Sequence, residues 1–177
     1  AQKYDWDGAK KRAISDTWKN QYMVNLPPAQ EHKEWLIDPT IRVTQDVKDK
    51  QGRVIASAGE LINPLSRFPQ NLTMIIFDPM IPGQLDWAEK QYRQRLGSGQ
   101  VMPMFTRIKQ ENGWDHLNDL REKFNGKVFK VNEQIISRFQ VKNTPVLIST
   151  EKDKFRITQF SEAEIRGVGV KITGEEN

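Results

Sequence analysis

From Leu72 to Phe160, strand-like and helix-like patterns alternate, and this alternation constrains the fold more than any other feature of the 177-residue chain. Leu72–Phe77 is a short apolar run of strand size, and Asp78-Pro79 and Pro82-Gly83 punctuate the loop behind it. Leu85, Ala88 and Tyr92 then recur at helical spacing until Gly97-Ser98-Gly99 closes the segment. Val101–Arg107 reads as a second strand. Trp114, Leu117, Leu120 and Phe124 form the face of a second helix that stops at Asn125-Gly126. Val128–Val131 is a third strand, and Asn132 can cap a third helix that presents Ile135, Ile136 and Phe139. Val146–Ser149 and Phe155–Phe160 flank the charged turn Thr150–Lys154 as a hairpin. The order βαβαβαββ predicts a sheet with parallel neighbours, helices on its faces and an antiparallel edge.

Two segments precede this α/β domain, which is assigned to residues 67–177. Residues 1–35 read as an arm, helical from about Asp7 to Met23, with Ile14, Trp18 and Tyr22 as an apolar stripe and Leu26-Pro27-Pro28 as its stop. Such a stripe does not say whose surface covers it. Trp6, Trp18 and Tyr22 are therefore candidate contacts for a partner, or fold back on the chain's own core. Residues 36–66 read as a β-hairpin extension: Ile41, Val43 and Val47 lead to the turn Asp49-Lys50-Gln51-Gly52, and Val54-Ile55-Ala56 returns. An isolated hairpin is marginal in water, so this one should lean on the rest of the protein.

Composition removes whole classes of chemistry. The chain has no cysteine, so disulfides, thiolate nucleophiles and thiolate metal sites are excluded. His32 and His116 fall on different segments, and no HExxH, GxSxG or GxxxxGK[ST] motif is present. Asp115, Asp119 and Glu122 line the outer face of the Trp114–Phe124 helix, where solvation accounts for them. No catalytic residue, cofactor or metal ligand is expected. The net charge of +4 is not gathered into a basic stripe, which leaves nucleic-acid binding as an alternative without a defined surface. No run approaches the roughly 18–20 apolar residues of a membrane-spanning helix. The start at Ala1-Gln2 fits removal of a tag or of a signal peptide.

The stretch Gly126–Val131, a short helix, and Val141-Lys142-Asn143-Thr144-Pro145-Val146-Leu147-Ile148 resembles the third strand, third helix and Thr-Pro strand entry of thioredoxins. The resemblance implies a thioredoxin-like three-layer α/β fold with a cis bond before Pro145. Counted along the chain, the place of the reactive CxxC reads Arg107–Trp114 and holds no sulfur, so disulfide exchange is excluded whatever the fold. A thioredoxin-class redox or chaperone protein is the enzymatic alternative. Thioredoxins receive an extended peptide beside the Thr-Pro loop. Thr144-Pro145, the Asn112-Gly113-Trp114 turn and Pro79–Gly83 are accordingly expected to form a partner surface, with Asn112 and Thr144 as contacts. Trp114 is open to a second reading as a core anchor of its helix.

A further resemblance lies upstream. Leu36-Ile37-Asp38-Pro39-Thr40-Ile41-Arg42-Val43, Asp46-Val47, Gly52-Arg53-Val54, Gly59-Glu60 and Asn63-Pro64-Leu65 follow one another in the order and spacing of the TraW family of F-type conjugative type IV secretion systems. The Trp87 helix after Asp78-Pro79 is similar too. The resemblance implies a periplasmic assembly protein without enzymatic residues, needed for conjugative pilus assembly and associated with a TrbC-like partner. It also implies that a signal peptide was cleaved before Ala1.

Overall fold

Met74, Ile75, Ile76 and Phe77 are all buried, a pattern that a strand can hold only when both of its faces are covered. They belong to β6 (Leu72–Phe77), which pairs in parallel with β7 (Gln100–Phe105) and antiparallel with β9 (Val146–Glu151). The computed structural model describes residues 23–166. Beyond β7 lies the short β8 (Phe129–Lys130); beyond β9 come β10 (Lys154–Gln159) and, at the edge, β1 (Lys33–Ile37). The six-stranded order is β1-β10-β9-β6-β7-β8.

Side-chain alternation along β6 builds two cores. On one face, Ile75 and Phe77 pack with Phe105 against Trp87, Ala88 and Tyr92 of α2 (Gln84–Gln94) and Leu117 and Leu120 of α3 (Gly113–Lys123), with Phe124 just beyond. On the other, Met74 and Ile76 pack with Met104, Val146 and Ile148 against Phe139, Val141 and α4 (Glu133–Arg138). The result is an α/β/α sandwich. Its last helix, α5 (Glu162–Arg166), places Ile165 on the α2 face. With strands β10-β9-β6-β7 in that order, β9 antiparallel to β6 and a cis peptide bond at Thr144–Pro145 leading into β9, the fold is thioredoxin-like.

The extension comprises two separate two-stranded sheets. In one, β3 (Val47–Lys48) meets β4 (Val54–Ala56) across a turn in which the Asp49 carboxylate accepts from the amides of Gln51 and Arg53. In the other, β2 (Ile41–Arg42) meets β5 (Leu61–Ile62). Asn63 caps α1 (Pro64–Arg67) through its side-chain oxygen and donates from Nδ2 to the Asp153 carbonyl at 2.8 Å, which ties the extension to the β9–β10 hairpin. At the far end of the sheet, Gly99 adopts φ +126°, and a Cβ there would sit 2.6 Å from the Asn71 carbonyl oxygen. The Gly-rich stretch thus closes a helix and starts a strand.

One boundary and one side chain differ from the sequence reading. The limit expected at residue 35 falls inside β1, whose period-two pattern buries Trp35 and Ile37 partly against the sheet while Glu34 and Leu36 stay exposed. The Trp35 indole donates to the Phe139 carbonyl at 3.0 Å, so the end of the arm is the edge of the domain. Trp114 is 42% exposed, and the interior of its helix is built by Leu117, Leu120 and Phe124 without it. The reading of Trp114 as a core anchor is therefore corrected: at the second residue of α3 it lies before the turn that meets the sheet. Phe124→Ala should cost about 3–5 kcal/mol in denaturant unfolding because the ring is fully enclosed. Phe68→Ser, at a site 70% exposed, should stay within about 0.5 kcal/mol.

Candidate functional site

The register Ile76↔Val146 sets the end of β6 beside the Thr144–Pro145 bond, and the loop that meets it is Asp78–Gly83. The loop after β7, Arg107–Asn112, stands one strand further away, joined to β6 through the Thr106 amide and the Phe77 carbonyl at 3.0 Å. This corrects the placement by counting along the chain. The strand next to the Thr-Pro strand is the first of the α/β unit, because β7 and β8 are added outside β6 and not between β6 and β9.

The chain itself covers the groove beside Thr144. Pro28 forms a parallel bridge with Thr144; the Thr144 amide donates to the Pro27 carbonyl at 3.2 Å, and the Ala29 amide donates to the Thr144 carbonyl at 2.9 Å. Asn143 Nδ2 donates to the carbonyls of Pro27 and Pro28, and the Glu162 amide donates to the Ala29 carbonyl. Gln159 Nε2 reaches the Glu31 carbonyl at 2.9 Å. Ala29 and Thr144 are consequently without solvent exposure. Thr144, expected to contact a partner, instead lies beneath residues 27–29 of its own chain.

Asp78 is the fully buried charged residue at this end of the sheet. Its Oδ1 accepts from the Met80 amide at 2.8 Å, its Oδ2 from Arg107 Nε at 2.7 Å, and its own amide donates to Gln84 Oε1. Burial raises its pKa above the usual 3.8, against the opposing pull of the Met80 amide and the Arg107 guanidinium. His116 closes the neighbouring loop by accepting the Lys109 amide on Nδ1 at 2.9 Å. Burial, and then the Lys109 charge, lower its pKa, which keeps that nitrogen free to accept. Gln84 Nε2, Thr106 Oγ1 and Thr144 Oγ1 are buried with no hydrogen-bond partner among the described residues. Alongside lies an open cleft of about 590 Å³, lined by Met23, Val24, Asn25, Met80 and residues 107–111.

The remaining candidates scatter. Asn112 is exposed at φ 56°, ψ 41° before α3, and its side chain makes no cap bond; its place is the β7 loop, so it shares no open surface with Thr144. Trp6, Trp18 and Tyr22 lie outside the described residues. Among the described residues no group of His, Asp and Glu could hold a metal ion. The chain has no cysteine to offer a thiolate, and among the described residues the buried carboxylate, Asp78, is engaged by Arg107. Sequence reading passed over Asp78, Arg107 and the Pro27–Ala29 strap. Asp78 had a local signal, an acid directly after an apolar strand; the strap read only as a helix stop.

A carboxyl whose folded pKa exceeds its unfolded value binds more protons when folded. Its contribution to stability is full below 3.8 and is lost as pH rises through the raised value. Urea midpoints measured from about pH 4 to neutrality should therefore fall less steeply for Asp78→Asn than for the parent chain. Parallel profiles would remove Asp78 from this role.

No family model matches the chain. Among curated proteins, Protein TraW of Escherichia coli (strain K12) is 24% identical over 160 residues, covering 89% of this chain and 71% of that protein. Among solved structures, a secreted Mycobacterium tuberculosis disulfide oxidoreductase homologous to E. coli DsbE is 16% identical, with a TM-score of 0.40 over 62% of this chain and 87% of that one. The thioredoxin domain of a thiol-disulfide oxidoreductase from Bacteroides vulgatus is 10% identical, with a TM-score of 0.40 over 77% and 94%. Thioredoxin from Wuchereria bancrofti is 14% identical, with a TM-score of 0.38 over 76% and 95%. The chain thus resembles TraW over most of its length, beyond the segment 36–90 where the motifs lie, on a thioredoxin-like fold without a single cysteine.

Proposed function

We propose that the chain is a non-enzymatic assembly subunit of an F-type conjugative type IV secretion system, exported to the periplasm, needed for pilus assembly and working through contacts with a TrbC-like protein. The similarity to TraW over 160 residues carries this reading. The absence of cysteine supports the non-enzymatic part, since a mixed disulfide cannot form without a thiol.

The extension supports a role in contacts. Between residues 36 and 68 only Val43, Ala56 and Leu65 are buried apolar side chains, while Ile41, Val54, Ile55, Leu61 and Phe68 are each about half exposed or more. Two-stranded sheets of two or three residues are marginal alone, so a partner that covered these side chains would add the apolar burial they lack. Residues 1–22 are the second proposed attachment, with Trp6, Trp18 and Tyr22 as its contacts. Asn112 and Trp114 on the β7 loop and the start of α3 are a third, smaller one.

Loss of the encoding gene should abolish conjugative pili, and the purified chain should not reduce insulin. Ile55→Glu and Phe68→Glu should each weaken co-purification with the TrbC-like chain by about tenfold while stability stays within about 0.5 kcal/mol. Undiminished co-purification would place the interface elsewhere, and insulin reduction would overturn the reading.

A further inference from the structure

We propose that the cleft between Met80 and the loop after β7 stows the chain's own arm, with the apolar stripe Ile14, Trp18 and Tyr22 lying in it while the chain is alone. The cleft holds about 590 Å³, and Met23, Val24 and Asn25 line it together with Met80 and residues 107–111. The arm therefore leaves the described residues from within the cleft. Two side chains set the direction in which it leaves. Val24 packs in the core under α4, whereas Met23 packs on the core under α2 and α3, and its Sδ accepts the Ile108 amide at 3.4 Å. The backbone crosses the end of the sheet between these two residues, so the chain upstream of Met23 emerges on the α2–α3 side. On that side Met80 is 41% and Trp114 42% exposed. An apolar stripe that arrives there gains by covering them.

The dimensions and the lining agree with this occupant. Tyr22 adjoins Met23 and starts in the cleft; along the helix that the sequence predicts, Trp18 and Ile14 follow about 6 and 12 Å further on. The volume falls in the range of sites that enclose drug-sized ligands, which leaves room for two rings. Met80 and Ile108 offer apolar surface to the rings, and Asn25, Gln110 and Glu111 offer oxygens to the indole N–H and the phenol O–H. A partner that takes up Trp18 and Tyr22, as the assembly reading has it, must first draw them from the cleft. The inference does not need that reading: it is measured on the isolated chain, whereas the assembly role is measured by pili and co-purification, and either can fail without the other.

The test is a nitroxide label on the full-length variant Lys19→Cys, in which no other cysteine competes for the label. In the isolated chain the label should broaden the methyl signal of Met80 and the amide signals of Gln110 and Glu111. Signals of Asn71 and Ser98, at the opposite end of the sheet, should stay sharp. Adding Trp18→Glu, or Met80→Glu at its exposed position, should each remove most of the broadening and speed hydrogen exchange at the Gln110 and Glu111 amides at least about threefold. A mixture of labelled chain with unlabelled, isotope-enriched chain should show no broadening. Broadening spread evenly over the chain, broadening that survives both substitutions, or broadening in the mixture, where it reports the arm of a second copy, would overturn the inference.

Discussion

Burial of β6 on both faces is the constraint from which the rest of the architecture follows. Ile75 and Phe77 face α2 and α3, Met74 and Ile76 face α4, and a strand so enclosed needs a hydrogen-bonded neighbour on each side. β7 supplies one and β9 the other. Once those pairings exist, three chain segments converge at one end of the sheet: the Asp78 loop from β6, the Thr106 turn from β7 and the Thr144–Pro145 entry to β9. The site is where these ends meet.

At that end of the sheet the chain closes its own surface. Asp78 is paired with Arg107, and the groove by Thr144 is closed by Pro27–Ala29. What the molecule presents outward is shape: the apolar side chains of a thin extension and an exposed tryptophan at the start of α3. These are the properties of a component that is gripped, which agrees with the proposed assembly role.

Much of the fold was legible because each element wrote its own burial into its residues. The apolar run at 72–77, the helical stripe through Leu117, Leu120 and Phe124, and the Asn132 cap, whose oxygen accepts the Ile135 amide, were local facts. Other features were long-range and left no such mark. Lys33–Ile37 is too short and mixed to announce itself as a strand; it becomes one because Phe155–Gln159 offers an unpaired edge. Trp114 matched the spacing of its helix face, yet periodicity does not report where the sheet ends. Asn112 and Thr144 were grouped by counting strands in sequence, and the spatial order of those strands separated them.

The residues alone determined the alternation of elements, the absence of thiol chemistry and the likeness to TraW, because composition and spacing are properties of the chain before it folds. Tertiary structure decided which strand stands beside the Thr144–Pro145 entry and what covers it. Pro28 and the Asn143–Thr144 turn are more than a hundred residues apart along the chain. Their meeting depends on the summed packing of both faces of the sheet, a quantity that no local stretch of sequence contains.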